Sequence, residues 1–161
     1  MKRFTLYPIL IVSLLVLPNA CADHDAKPDN TTSSDFAFGT FYGACSGDRC
    51  VEFFQIRDQK LFETTTDTYP KQSERYPFGT ITELSQDKYL LVKDLPSRIP
   101  AGLRAISETV IGCPDCTDGG GLYIEVTEQG ETRFWYIDLQ QTDPDLQNFI
   151  DDVKEKIQLL N

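Results

Sequence analysis

The chain has 161 residues, with 15 Lys and Arg against 25 Asp and Glu and a formal charge of −10. That balance speaks against nucleic acid, whose binding rests on neutralising phosphates with basic side chains. It also speaks against adsorption of the protein body to anionic headgroups, and it suits a small domain kept soluble by its charge.

The first element is a targeting segment. Lys2 and Arg3 precede an apolar run of about fourteen residues, 4–17, interrupted by Thr5, Pro8 and Ser13. A membrane-spanning helix needs roughly 20 apolar residues, so residues 1–20 read as a secretory signal peptide and not as a permanent anchor. Ala20 then stands before Cys21. The segment resembles the signals of bacterial lipoproteins, in which a small residue precedes the cysteine that is acylated and becomes the first residue. Pro18 and Asn19 depart from that pattern, and Leu17 sits four places before the cysteine where an aliphatic residue three places before is usual. The resemblance implies lipidation at Cys21, an outer-membrane lipoprotein facing the periplasm or the cell surface, and membrane contact through the lipid alone. Ala20-Cys21-Ala22 also reads as small-x-small, and a cut after Ala22 gives a soluble periplasmic or secreted chain.

Residues 22–35 contain four Asp, two Thr and two Ser, with no aromatic or branched aliphatic residue. Such a segment buries too little surface to fold, so 21–35 is expected to be a disordered acidic tether behind the lipidated cysteine. Its reach is roughly 20 Å as a flexible chain. Without Lys2 and Arg3 the balance becomes 13 basic residues against 25 acidic, a formal charge of −12. Residues 36–161 are then one domain, since 126 residues hold one ordinary core and not two.

Within that domain, residues 36–42 alternate with a period of two and predict a strand. Residues 51–57 and 60–66 predict a hairpin turning at Asp58-Gln59. Residues 67–77 carry Tyr69-Pro70 and Tyr76-Pro77, and residues before proline favour extended backbone, so this stretch is an open loop. A second hairpin is expected from 80–84 and 88–93. Pro96 and Pro100 limit 95–106 to one or two helical turns. Residues 122–127 and 132–139 form the clearest hairpin. Asp143 caps a final helix, with Pro144 in its first position, and Leu146, Phe149, Ile150, Val153, Ile157 and Leu160 form one apolar face. The fold expected is α+β: an antiparallel sheet of about six strands with one C-terminal amphipathic helix, or alternatively a closed barrel with that helix across its mouth.

The only histidine, His24, lies in the tether, so the domain has none. That removes Ser-His-Asp and Cys-His catalysis and nearly every catalytic zinc arrangement. Cys21 apart, the cysteines are Cys45, Cys50, Cys113 and Cys116. Haem attachment needs a histidine after the second cysteine of a pair, where Thr117 stands. A thioredoxin-type centre needs a helix after its Cys-x-x-Cys, which residues 117–121, Thr-Asp-Gly-Gly-Gly, do not begin. Zinc suits a cytosolic chain better than an exported one, so two structural disulfides are expected. Local pairs, Cys45 with Cys50 and Cys113 with Cys116, close easily through Gly and Pro, and pairing across the domain is the rival.

Asp115 and Asp118 lack the spacing of a calcium loop, and no acid pair stands out for glycoside hydrolysis. No cofactor and no metal is expected. Tyrosines held by prolines supply rigid contact area, which makes Tyr69 and Tyr76 the candidate binding loop, with 112–121 second. The function expected is a non-catalytic envelope module binding a protein, glycan or peptide. The alternative is a thiol-disulfide or carboxylate enzyme of the envelope. Taken together, the signal segment and acidic tether resemble the small lipoproteins of Gram-negative bacteria, a resemblance that carries no activity with it.

Overall fold

The structure, a computed structural model, describes residues 35–161 apart from Asp48 and Asp67. The signal segment, Cys21, the cut after Ala22 and the tether as far as Ser34 lie outside the described residues, whereas Asp35, expected as the last residue of the tether, is the first residue of the first strand. The strands are β1 (Asp35–Phe41), β2 (Val51–Arg57), β3 (Lys60–Thr64), β4 (Ile81–Glu83), β5 (Val110–Ile111), β6 (Gly121–Glu128) and β7 (Glu131–Asp138). The helices are α1 (Gln86–Val92), α2 (Leu95–Arg98), α3 (Ala101–Ala105) and α4 (Pro144–Leu160). One mixed sheet of seven strands runs in the order β4-β3-β2-β1-β6-β7-β5. The class is α+β. The sheet is open, with β4 and β5 at its edges, so it is not the barrel.

The hairpins β2–β3 and β6–β7 form where alternation and turn chemistry place them. Two-residue hairpin turns of type I′ need positive φ at both positions. Asp58 and Gln59 supply φ of 49° and 58°, and Gln129 and Gly130 supply 55° and 85°. The two halves of the chain meet at the centre of the sheet, where β1 pairs antiparallel with β6 and Phe38 stands opposite Ile124.

Two expectations are corrected. Residues 88–93 are not a strand but most of α1. Tyr89, Leu90, Leu91 and Val92 are four apolar residues in a row, which fit either period. The helix is capped by Ser85, whose Oγ accepts from the Lys88 N–H at 3.5 Å. The helix then buries Val92 and leaves Leu90 49% exposed. The sheet also has seven strands and is not wholly antiparallel. After α3 the chain returns to the edge of β7 and lays down β5, two residues parallel to it, too short to show a period.

One face of the sheet carries Phe36, Phe38, Phe54, Ile56, Leu61, Leu122, Ile124, Val126, Trp135 and Ile137, packed under the helices. α4 supplies all six of its predicted apolar residues to that layer. Its start is held by Asp143 Oδ1, which accepts from the Asp145 and Leu146 amides at 2.9 and 3.1 Å. The other face is aromatic: Phe41, Phe53, Tyr123 and Tyr136, with Ala37 and Val51, are covered by Tyr76 from the loop between β3 and β4. β1 is consequently buried on both sides, from Phe36 to Phe41.

Candidate functional site

β1 ends at Phe41 opposite Gly121, the first residue of β6, and Gly121 also faces Asp138, the last residue of β7. Both cysteine loops therefore leave the same end of the sheet. Cys45 and Cys50 are joined with Cα atoms 5.5 Å apart, and Cys113 and Cys116 with 5.4 Å. The pairing is local in both cases. The first loop is closed by the Tyr42 N–H donating to the Cys50 carbonyl at 2.8 Å. The second is tied down by the Cys113 N–H donating to Asp138 Oδ2 at 3.3 Å.

Asp115, inside the second loop, joins the pieces. Its Oδ2 accepts from the Gly43 N–H at 2.7 Å and from the Tyr69 hydroxyl at 2.7 Å. Its Oδ1 accepts from the Gly120 N–H at 2.9 Å. Gln72 adds a bond from Nε2 to the Pro114 carbonyl at 3.1 Å. The two loops singled out in the sequence, 67–77 and 112–121, thus meet at one carboxylate. A side chain at position 43 would crowd this junction, because its Cβ would stand 2.5 Å from Asp115 Oδ2.

Burial by itself would raise the Asp115 carboxyl, but the Tyr69 hydroxyl and the Gly120 and Gly43 amides outweigh it. They hold the group below its ordinary value. Burial first, then the Asp115 acceptor and its charge, push the Tyr69 phenol up to about 12. A carboxyl lowered on folding contributes stability that is complete above its unfolded value, about 3.9, and is lost as pH falls through the folded value. Asp115→Ala should therefore cost about 1–2 kcal/mol at neutral pH, and the gap from the native chain should close in strong acid. Thermal melts in neutral and strongly acidic buffers check this. A gap that does not change with pH would mean that the carboxylate charge is not what matters.

Tyr69 and Tyr76 do not share a role. Tyr69 is 43% exposed, with its ring edge-on to Phe41 at 5.6 Å. Tyr76 is 2% exposed and is a core residue, which corrects its place in the binding loop. Its ring meets Phe53 edge-on at 4.2 Å and its hydroxyl donates to the Thr66 carbonyl at 2.8 Å. Contacts of this geometry contribute about 0.5–1.5 kcal/mol beyond burial, so Tyr76 clamps the loop to the sheet.

Beside that clamp lies a buried polar cluster that the sequence reading missed. Glu125 of β6 is 3% exposed. Arg75 grips it with two bonds, Nε to Oε2 at 2.6 Å and Nη2 to Oε1 at 2.7 Å. The Tyr123 hydroxyl donates to Oε2 at 2.6 Å and itself accepts the Tyr76 N–H at 3.3 Å. Burial, then the Glu125 charge and its acceptor oxygen, hold the Tyr123 phenol far above its ordinary range. The strand alternates Leu122, Ile124 and Val126 with Tyr123, Glu125 and Thr127. Period two reads the second set as solvent-facing, and no local signal reports that a distant loop covers it.

The cluster is a fastening, with both Glu125 oxygens already occupied. Cys113 and Cys116 are exposed, and Cys116 lies in a turn that no helix follows, so no helix dipole is there to activate a thiol. Among the described residues no group of three or more His, Cys, Asp or Glu side chains is placed to hold a metal ion. The arrangement consists of an exposed aromatic ring, two stapled loops and fixed hydrogen-bonding groups.

Compared with models of known protein families and with curated proteins, the chain matches none.

Proposed function

We propose that this chain is a non-catalytic, lipid-anchored protein of the bacterial envelope that binds a protein, glycan or peptide partner. Cys21 carries the lipid, and the partner docks on the end of the sheet where Tyr69 meets the 112–121 loop. The observation that carries the reading is the state of Tyr69: a ring 43% exposed whose hydroxyl is committed to Asp115 at 2.7 Å. An aromatic side chain already held in place loses little entropy on binding, which is what recognition surfaces exploit.

A photo-cross-linking residue placed at Thr117, on the exposed turn that carries Asp115, tests the site in intact cells. One adduct of discrete mass is expected there, and none from the same residue placed at Leu159 on α4. Tyr69→Ala should abolish the adduct while lowering stability by only about 1 kcal/mol. Tyr76→Ala should cost about 3–5 kcal/mol through lost core packing. Equal labelling from both positions would defeat the proposed surface. Mass spectrometry of the envelope-purified chain tests the anchor. Acyl mass on an N-terminal Cys21 supports it, and an unmodified terminus at Asp23 establishes a soluble periplasmic or secreted form instead. Thiol exchange by Cys113–Cys116 returns as the reading if its reduction potential lies at or above about −270 mV.

A further inference from the structure

We propose a second binding site on the aromatic face of the sheet: a groove that takes the oxyanion of a small organic ligand between Arg57 and Arg75. The groove has a volume of about 370 Å³ and is bounded by Gln55 and Arg57 of β2, by Arg75, and by Tyr76 to Phe78. That volume is within the usual range for small-molecule sites. Gln55 and Arg57 are two residues apart on one strand, so they share its face with Phe53.

The case rests on what the arginines already do. Among the described residues several arginines are already engaged. Arg98 lies 2.8 Å from the Asp152 carboxylate and Arg104 lies 2.7 Å from Glu128. Arg133 donates to the carbonyls of Arg104 and Ile106. Arg57 differs: its guanidinium carbon sits 4.5 Å above the centre of the Phe62 ring, and among the described residues it makes neither an ion pair nor a bond to a carbonyl. Stacking restrains a guanidinium through its face and leaves the N–H donors at its rim available. Arg75 is oriented by its two bonds to Glu125 through Nε and Nη2, which leaves Nη1 uncommitted on a side chain 55% exposed.

Two acids around the groove are already paired. Glu125 is occupied by Arg75 and Tyr123, and Glu83 is paired with Lys60 at 2.9 Å. Two pre-oriented guanidinium groups suit a carboxylate or a phosphoryl group, with charge-assisted bonds about twice as strong as neutral ones. Pro77 and Phe78 add an apolar wall for the body of such a ligand. The site is independent of the Tyr69 surface, and either can fail without the other.

The test uses benzoate, inorganic phosphate and neutral benzamide as probes, titrated at physiological salt into ¹⁵N-labelled protein purified from the envelope. Saturable shifts of the Gln55, Arg57 and Gly79 signals are expected with an oxyanion. Benzamide should bind at least about tenfold more weakly, and R57Q should weaken the oxyanion by a similar factor. Arg57 stands at the end of β2 and holds no buried acid, so the melt of R57Q should stay near that of the native chain. Tighter binding of benzoate identifies a carboxylate ligand, and tighter binding of phosphate a phosphoryl one. No saturable shift with either anion, equal binding of benzamide, or undiminished binding by R57Q overturns the site.

Discussion

Gly39→Ala is expected to cost more than about 4 kcal/mol, a large part of the stability of a domain this size. Gly39 lies in the middle of β1, opposite Phe53 on one side and Tyr123 on the other. A Cβ there would stand 2.7 Å from the Phe53 Cα and would overlap the Glu52 carbonyl oxygen and the Phe53 ring. Two of those obstacles belong to the β2 backbone, so relief means parting β1 from β2 at the centre of the sheet. Gly102→Ala in α3 is the control, because nothing lies within 4 Å of its added Cβ. That change should be neutral or stabilise by up to about 1 kcal/mol. Denaturant midpoints compare the two, and a near-native midpoint for Gly39→Ala would mean that the strands separate at little cost.

The second large effect is expected at Glu125. Glu125→Ala leaves the buried Tyr123 hydroxyl without its acceptor and takes both bonds from Arg75. The loss should be about 2–4 kcal/mol, reduced from that of a fully buried pair because Arg75 is half exposed. Glu125→Gln should fall between, since its amide still accepts from Tyr123 but sets its own donors against Arg75. The loop adds a distinct readout. Lys71 and Arg75 are trypsin sites within 67–77, and loosening the staple should speed cleavage there before the sheet unfolds. The combination of Glu125→Leu with Tyr123→Phe should recover part of the loss, because no buried hydroxyl is then left without its acceptor and only the 3.3 Å bond from the Tyr76 N–H is given up. Unchanged cleavage in Glu125→Ala would mean that Tyr76 holds the loop alone.

The candidate site was only partly legible in the sequence. The 67–77 and 112–121 loops stood out by composition, and the structure brings them together through Tyr69 and Asp115. Their contact spans 46 positions, and no periodicity or spacing reports an approach of that kind. Tyr76 looked like Tyr69 because each precedes a proline, yet one is clamped in the core and the other is half in solvent. The difference comes from what lies beneath each ring: Tyr76 meets Phe53 and Tyr123, whereas Tyr69 rests on the rim beside Phe41.

By itself the sequence determined β1, the hairpins β2–β3 and β6–β7, α4 with its Asp143 cap, and the limited helix between Pro96 and Ala105. Each of these carries its determinants within a few residues: an alternation, a turn that needs positive φ, or a capping carboxylate before an apolar stripe. The tertiary structure alone decided the rest. It turned residues 86–92 into a helix, because packing Val92 under the sheet settles a run that fits two periods. It joined β1 to β6, added β5 in parallel at the far edge, and folded the β3–β4 loop over Tyr123 and Glu125. Whether the second face of a sheet meets water depends on where a distant loop lands, and that is set by burial and hydrogen bonding across the whole domain.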